Sequence, residues 1–150
     1  MFYLQAADGP VPGIRGDAAA DLPRALLAQP VLIVEDEAMI AWTMESLLED
    51  MGFTRIAVAA SGEAAIAEAA RLAPRLIVSD INLGPARMDG VAATAAILKH
   101  AAAGVIFVTG YANADARGRI EQAVPGAAVL SKPVEADLLR RAIGTVTAMH

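Results

Sequence analysis

A doubly wound α/β fold with a five-stranded parallel sheet is predicted by three observations. Short apolar runs alternate with longer amphipathic ones from Pro30 onward, the alternation repeats five times, and four of the apolar runs end on a reactive polar group. Glu35 and Asp36 follow Val31-Leu32-Ile33-Val34, and Asp80 follows Leu76-Ile77-Val78-Ser79. Thr109 follows Val105-Ile106-Phe107-Val108, and Lys132 follows Ala127-Ala128-Val129-Leu130-Ser131. In an open parallel sheet, ligands bind outside the carboxyl ends of the strands, so these scattered residues are expected to converge there.

Each element has a local reason. After the first strand, Ile40, Met44, Leu47, Leu48 and Met51 fall on one helical face, and Gly52 ends the helix. Ile56 to Ala60 gives the second strand, and Ser61 caps the next helix with Glu63 in its first turn. The third strand covers Arg75 to Ser79. A loop follows from Asp80 to Met88, after which Asp89 caps a helix carrying Val91, Ile97 and Leu98. Gly104 opens the fourth strand. The helix after it, Asn113 to Val124, is weak: Gly118 interrupts it, and Ile120 and Val124 are its sizeable apolar residues. Val134, Leu138, Ala142, Ile143 and Val146 stripe the last helix.

Residues 1–29 form a separate zone, broken by Gly9, Pro10, Pro12, Gly13, Gly16 and Pro23. A mobile extension is expected there, with a short helix around Ala18 to Ala28 started near Pro23; a partner-binding or dimerising arm is the other reading. Residues 30–150 then make one domain, since 150 residues are too few for two ordinary ones. No apolar run is long enough to span a bilayer, and the N-terminus lacks the pattern of a secretory signal. A chain without cysteine has no disulfide framework or thiolate metal site, which fits a reducing cytoplasm. The net charge of −5, with dispersed Arg residues, argues against direct nucleic-acid binding.

Glu35, Asp36 and Asp80 at one place would repel one another and raise their pKa values unless a cation neutralised them. A hard divalent ion such as Mg²⁺ suits oxygen ligands, with Asp36 and Asp80 direct and Glu35 through water. Asp80 is then the nucleophile toward a phosphoryl donor, with Lys132 and the Thr109 hydroxyl offsetting charge on the phosphoryl oxygens. The product is an acyl phosphate.

This constellation resembles the receiver domain of bacterial two-component response regulators, over about Pro30 to Met149. The motifs are the acidic pair in Val34-Glu35-Asp36-Glu37, the acceptor Asp80, the hydroxyl Thr109 and Lys132-Pro133. The resemblance implies a flavodoxin-like (βα)5 domain with strand order 2-1-3-4-5. It implies Mg²⁺ held by Asp36, Asp80 and the backbone carbonyl of Asn82, and a cis peptide before Pro133. It also implies phosphate from a histidine kinase or a histidine phosphotransfer protein, in a cytoplasmic phosphorelay, with an effector protein that the chain does not name.

Two departures stand out. The loop Asn82-Leu83-Gly84-Pro85-Ala86-Arg87-Met88-Asp89-Gly90 is longer than the commonest receiver pattern. Val129 occupies the place where most receivers carry Tyr or Phe. Phe107-Val108-Thr109-Gly110-Tyr111 is similar to a receiver subgroup, common among alphaproteobacterial regulators, with the motif Phe-Ala-Thr-Gly followed closely by Tyr. Tyr111 is therefore either a packing aromatic or the switch residue in place of the missing one. Trp42 is either a half-exposed edge of the core or, with Met39, part of a kinase-docking surface. His100 and His150 are expected at the surface.

The leading function is a stand-alone receiver that switches protein contacts, with a phosphate sink or relay as its variant. An aspartate-nucleophile phosphatase would need an acid two residues after Asp80, and Asn82 cannot shuttle a proton there. No turnover of an external substrate is expected. A flavin-binding protein would need a Ser/Thr/Gly-rich phosphate loop after Val34, which the sequence lacks.

Overall fold

The structure is a computed structural model that describes residues 2–4, 22–83, 88–111 and 113–148. Its strands are β1 (Phe2–Leu4), β2 (Val31–Val34), β3 (Ile56–Ala59), β4 (Leu76–Asp80), β5 (Gly104–Thr109) and β6 (Ala128–Ser131). Its helices are α1 (Arg24–Leu27), α2 (Ala38–Met51), α3 (Gly62–Leu72), α4 (Gly90–Leu98), α5 (Ala114–Ala123) and α6 (Ala136–Ala148).

The sheet order is β1-β6-β5-β4-β2-β3, with every pair parallel. Setting β1 aside, this is the expected 2-1-3-4-5 order of the strands from Val31 onward. The sixth strand was not anticipated.

Strand pleating sends alternate residues to opposite faces, and both faces are covered by helices. Val31 and Ile33 pack with Leu26 of α1, Met44 and Leu48 of α2, and Leu139 and Ile143 of α6. Leu32 and Val34 pack with Ala65 of α3, Val91 and Ile97 of α4, and Ile120 of α5. The central strands β2, β4 and β5 are buried along their whole length, which is why they appear in the sequence as continuous apolar runs, whereas β3 at the sheet edge is partly exposed. Gly52 ends α2 with φ of 112°, a left-handed cap that a glycine adopts without steric cost. Ser61, Asp89 and Asn113 cap α3, α4 and α5 by accepting from Ala64, Ala92 and Ala116 backbone N–H groups.

Within residues 1–29, two described segments join the domain expected to begin at Pro30. Leu22 and Leu26 are buried in the cluster formed by α2, α6 and one sheet face, because α1 presents its leucines to that face and Leu27 reaches Gly52. Phe2–Leu4 pairs with Ala128–Leu130 as the outermost strand. The part of the expected helix before Leu22, most of the tail, Gly84–Arg87 of the long loop, and His150 lie outside the described residues. No helix among the described residues is long and apolar enough to cross a membrane.

Candidate acid-cluster site

Parallel pairing puts the carboxyl ends of β2, β4, β5 and β6 on one edge, and the register fixes which side chains meet. Val34 lies beside Ser79, Asp80 beside Val108, and Thr109 beside Ser131. Glu35, Asp80, Thr109 and Lys132 are thereby gathered from positions far apart in the chain. A backbone bond from Lys132 N–H to the Thr109 carbonyl, 2.9 Å, ties the two strand ends.

Glu35 and Asp80 are buried, Asp36 is exposed, and their ligating oxygens lie within 4.8 Å of one another. Lys132 Nζ sits between the two buried acids, 3.4 Å from Glu35 Oε1 and 3.3 Å from Asp80 Oδ2. Glu35 also accepts from Glu37 N–H, and Asp80 Oδ1 from Asn82 N–H at 3.3 Å. One ammonium does not balance three carboxylates. The burial of Glu35, with a smaller push from Asp80, raises its pKa from 4.5 to about 7 against the opposing pull of Glu37 N–H and Lys132. Lys132 is also raised: its burial lowers its pKa, but Asp80 and Glu35 together outweigh that. A cluster of hard oxygen donors with excess negative charge fits a divalent cation such as Mg²⁺, and these residues would hold it.

Gly90 has a reason that the sequence did not disclose. A Cβ there would lie 1.9 Å from the Asp80 carbonyl oxygen and 2.5 Å from Ser79 Oγ. The start of α4 therefore rests directly on the backbone of Asp80, secured by Gly90 N–H to the Ile81 carbonyl at 2.9 Å. The alternation of Asp-Gly after a long loop was the only available signal.

Thr109 is buried, and its hydroxyl is engaged at both ends: it donates to the Tyr111 carbonyl at 3.1 Å and accepts from Tyr111 N–H at 3.2 Å. The Tyr111 ring points outward, with the residue 78% exposed, so it is not a packing aromatic in this conformation. Trp42 and Met39 are likewise exposed, at 64% and 73%. Trp42 stands on the side of α2 opposite the buried Met44 and Leu48. The peptide before Pro133 is cis. His100 is exposed as expected. Beside the site, Arg119 of α5 forms an ion pair with Asp89, the cap of α4. This pair joins distant segments and has no sequence signature.

A parallel sheet in this order, with an acid cluster, a lysine and a hydroxyl at its carboxyl edge, defines the receiver class of signalling domains. The chain belongs to the response regulator receiver domain family, whose model matches residues 31–144. It is 32% identical over 99 residues to the transcriptional regulatory protein PdtaR of Mycobacterium tuberculosis, covering 66% of this chain and 45% of that one. It is 37% identical over 86 residues to the phyllosphere-induced regulator PhyR of Methylorubrum extorquens, covering 57% of this chain and 32% of that one. The solved signal receiver domain of a modulated diguanylate cyclase from Desulfovibrio desulfuricans is 33% identical, with a TM-score of 0.74 over 81% of this chain and 95% of that one. The chain spans less than half the length of these curated relatives. Other relatives of similar identity are named as protein-glutamate methylesterases, again matched over a minor part of their length.

Proposed function

We propose that the protein accepts a phosphoryl group on Asp80 from a histidine kinase or histidine phosphotransfer protein and uses it to change contacts with another protein. The observation that carries this reading is the buried Asp80 carboxylate held within reach of Lys132 and beside Glu35 and Asp36. In the transfer, an Asp80 oxygen attacks phosphorus and the P–N bond to the donor imidazole breaks. The electron pair goes to the ring nitrogen, which takes up a proton. Lys132 offsets the negative charge of the phosphoryl oxygens and holds the carboxylate in place. Asp36, Asp80 and the Asn82 carbonyl, with Glu35 beside them, would hold Mg²⁺, which would supply the remaining neutralisation that lets an anionic donor approach.

Turnover of an external phosphoester is not part of the reading. Asn82 offers its N–H to Asp80 and carries no acid to protonate a leaving group. The docking surface proposed for the donor is α2. Its exposed Met39 and Trp42 lie on the same helix as a groove of about 420 Å³ lined by Ile40, Thr43, Leu47, Pro133 and Val134 beside Lys132. Such a groove suits the apolar face of a partner helix.

Incubation with acetyl phosphate and Mg²⁺, followed by intact mass, tests the assignment. One added phosphoryl group is expected, absent in Asp80→Asn and in excess chelator. Uptake that persists in the Asn variant overturns it. Profiling against purified kinases and phosphotransfer proteins then identifies the donor, and Trp42→Ala should slow that transfer while leaving uptake from acetyl phosphate intact.

A further inference from the structure

Arg119 is held by Asp89, and Asp89 is one residue from the glycine that touches the Asp80 backbone. The guanidinium is thus held at the start of the helix that rests on the acceptor backbone, by a carboxylate that is not part of the acid cluster. Asp89 performs two tasks: Oδ1 caps α4 by accepting from Ala92 N–H at 2.9 Å, and Oδ2 accepts from Arg119 Nη2. Between the chain just after β4, the end of β5 and α5 lies a cavity of about 220 Å³, lined by Asn82, Thr109, Tyr111 and Arg119 among others. Asn82 lies two residues after Asp80 and gives its N–H to that carboxylate, and Thr109 ends the neighbouring strand β5. The cavity therefore has Arg119 on one side and residues adjoining the acceptor on the other.

We infer that Arg119 is a positioning residue which exchanges Asp89 for the phosphoryl group when Asp80 is phosphorylated, carrying α5 with it. The inference rests on the receiver reading proposed above. Its physical basis is competition for one guanidinium. A phosphoryl dianion has more charge and more acceptor oxygens than a carboxylate, and Arg binds such groups through two parallel hydrogen bonds. The pair with Asp89 is only partly buried, with side chains 53% and 25% exposed, so it is screened and cheap to break. The helix that carries Arg119 is weakly anchored to the core: Ile120 is the one buried residue within α5. Val129, where an aromatic residue usually acts, is fully buried in the sheet and has no polar atom to answer the new charge. Arg119 supplies that answer from the neighbouring helix.

Beryllofluoride with Mg²⁺, an anionic mimic that occupies the acceptor carboxylate reversibly, gives an equilibrium test by titration calorimetry. Arg119→Ala should weaken its binding about tenfold, the size of one charge-assisted hydrogen bond. Asp89→Asn should tighten it about threefold, because Asn still caps α4 but no longer holds the guanidinium. In the Arg119→Ala background, Asp89→Asn should have no effect. Arg119→Gln serves as a second variant should the alanine form melt early, and it should also bind more weakly than the parent. A structural ion pair alone predicts that both single substitutions act in the same direction. That result, or a tightening by Asp89→Asn that survives without Arg119, overturns the inference. Failure of the unsubstituted protein to bind the mimic while also refusing acetyl phosphate overturns the receiver reading itself.

Discussion

The two helices that flank the acceptor begin alike and end differently. Both α4 and α5 follow a strand of the site, and both start at a side-chain cap, Asp89 and Asn113. Yet α4 buries Gly90, Val91, Ala93, Thr94 and Ile97, whereas α5 buries Ile120 alone. Caps define where a helix starts, but burial defines how firmly it stays. The difference teaches that the acceptor has one rigid wall and one compliant wall. Charge arriving at Asp80 meets no give on the α4 side, where a backbone is already in contact, and its effect is expected on the α5 side.

The strongest way to break this comparison is to add one methyl group to each helix. Gly90→Ala would drive a Cβ into the Asp80 carbonyl, so a loss of at least about 3 kcal/mol is expected in denaturant unfolding, together with loss of phosphoryl uptake by intact mass. A Gly90→Ala protein with ordinary stability and uptake would show that α4 is not the rigid wall. Next in size is the response itself. Thr109 must leave the Tyr111 backbone to bond a phosphoryl oxygen, a charge-assisted bond of about 1.5–3 kcal/mol. Amide hydrogen exchange should change most over Ala114–Ala123 on phosphorylation, and Thr109→Ala should remove that change while leaving uptake intact. Change concentrated in α2 or α4 instead would reverse the assignment of the two walls.

Smaller is the effect of pH on the acid cluster behind both helices. Glu35 has its folded pKa raised from 4.5 to about 7, chiefly by burial. The folded state then binds more protons than the unfolded one between those values, so stability without metal should fall as pH rises from about 4.5 to about 7 and level off above. Glu35→Gln should flatten that slope and stabilise the metal-free protein at pH 8 by about 1–2 kcal/mol. Thermal melts across pH, with and without Mg²⁺, measure it; an unchanged slope would remove Glu35 as its source. The least effect belongs to Gly118→Ala. Open space surrounds that position in α5, so the substitution should stabilise by about 0.5–1 kcal/mol and damp the exchange response. Opposite signs at Gly90 and Gly118, from the same chemical change, would sharpen the comparison most.

The sheet and the acid cluster were legible in the sequence because both depend on short-range pattern. A strand buried on both faces is a continuous apolar run, and its polar terminus marks the carboxyl edge. Glu35, Asp80, Thr109 and Lys132 were therefore placed by the pattern alone, and the parallel registers bring them together. The weakness of α5 was legible too, since its apolar residues are few. What was hidden depends on contacts between distant segments. The role of Gly90 needs the Asp80 carbonyl to be in place, and the Arg119 pair needs α4 and α5 side by side. The packing of Leu22 and Leu26 was hidden as well, because glycine and proline report local irregularity, whereas these leucines find their partners on α2 and α6. The sequence left Trp42 between a core edge and an exposed docking residue, because helical spacing alone gives its angle from the apolar stripe and not what lies beside it; in the structure it is largely exposed.

The pairing of Phe2–Leu4 with Ala128–Leu130 bears on how copies of the protein behave toward one another. An outermost strand presents a row of unmatched peptide groups, and such a row is a template on which another chain can add itself. In this chain the outer row of β6, beside the strand that ends on Thr109, is matched by a segment of the same molecule. Whatever loosens Phe2–Leu4 would uncover the outer peptide groups of Ala128–Leu130, on the strand that leads to Lys132.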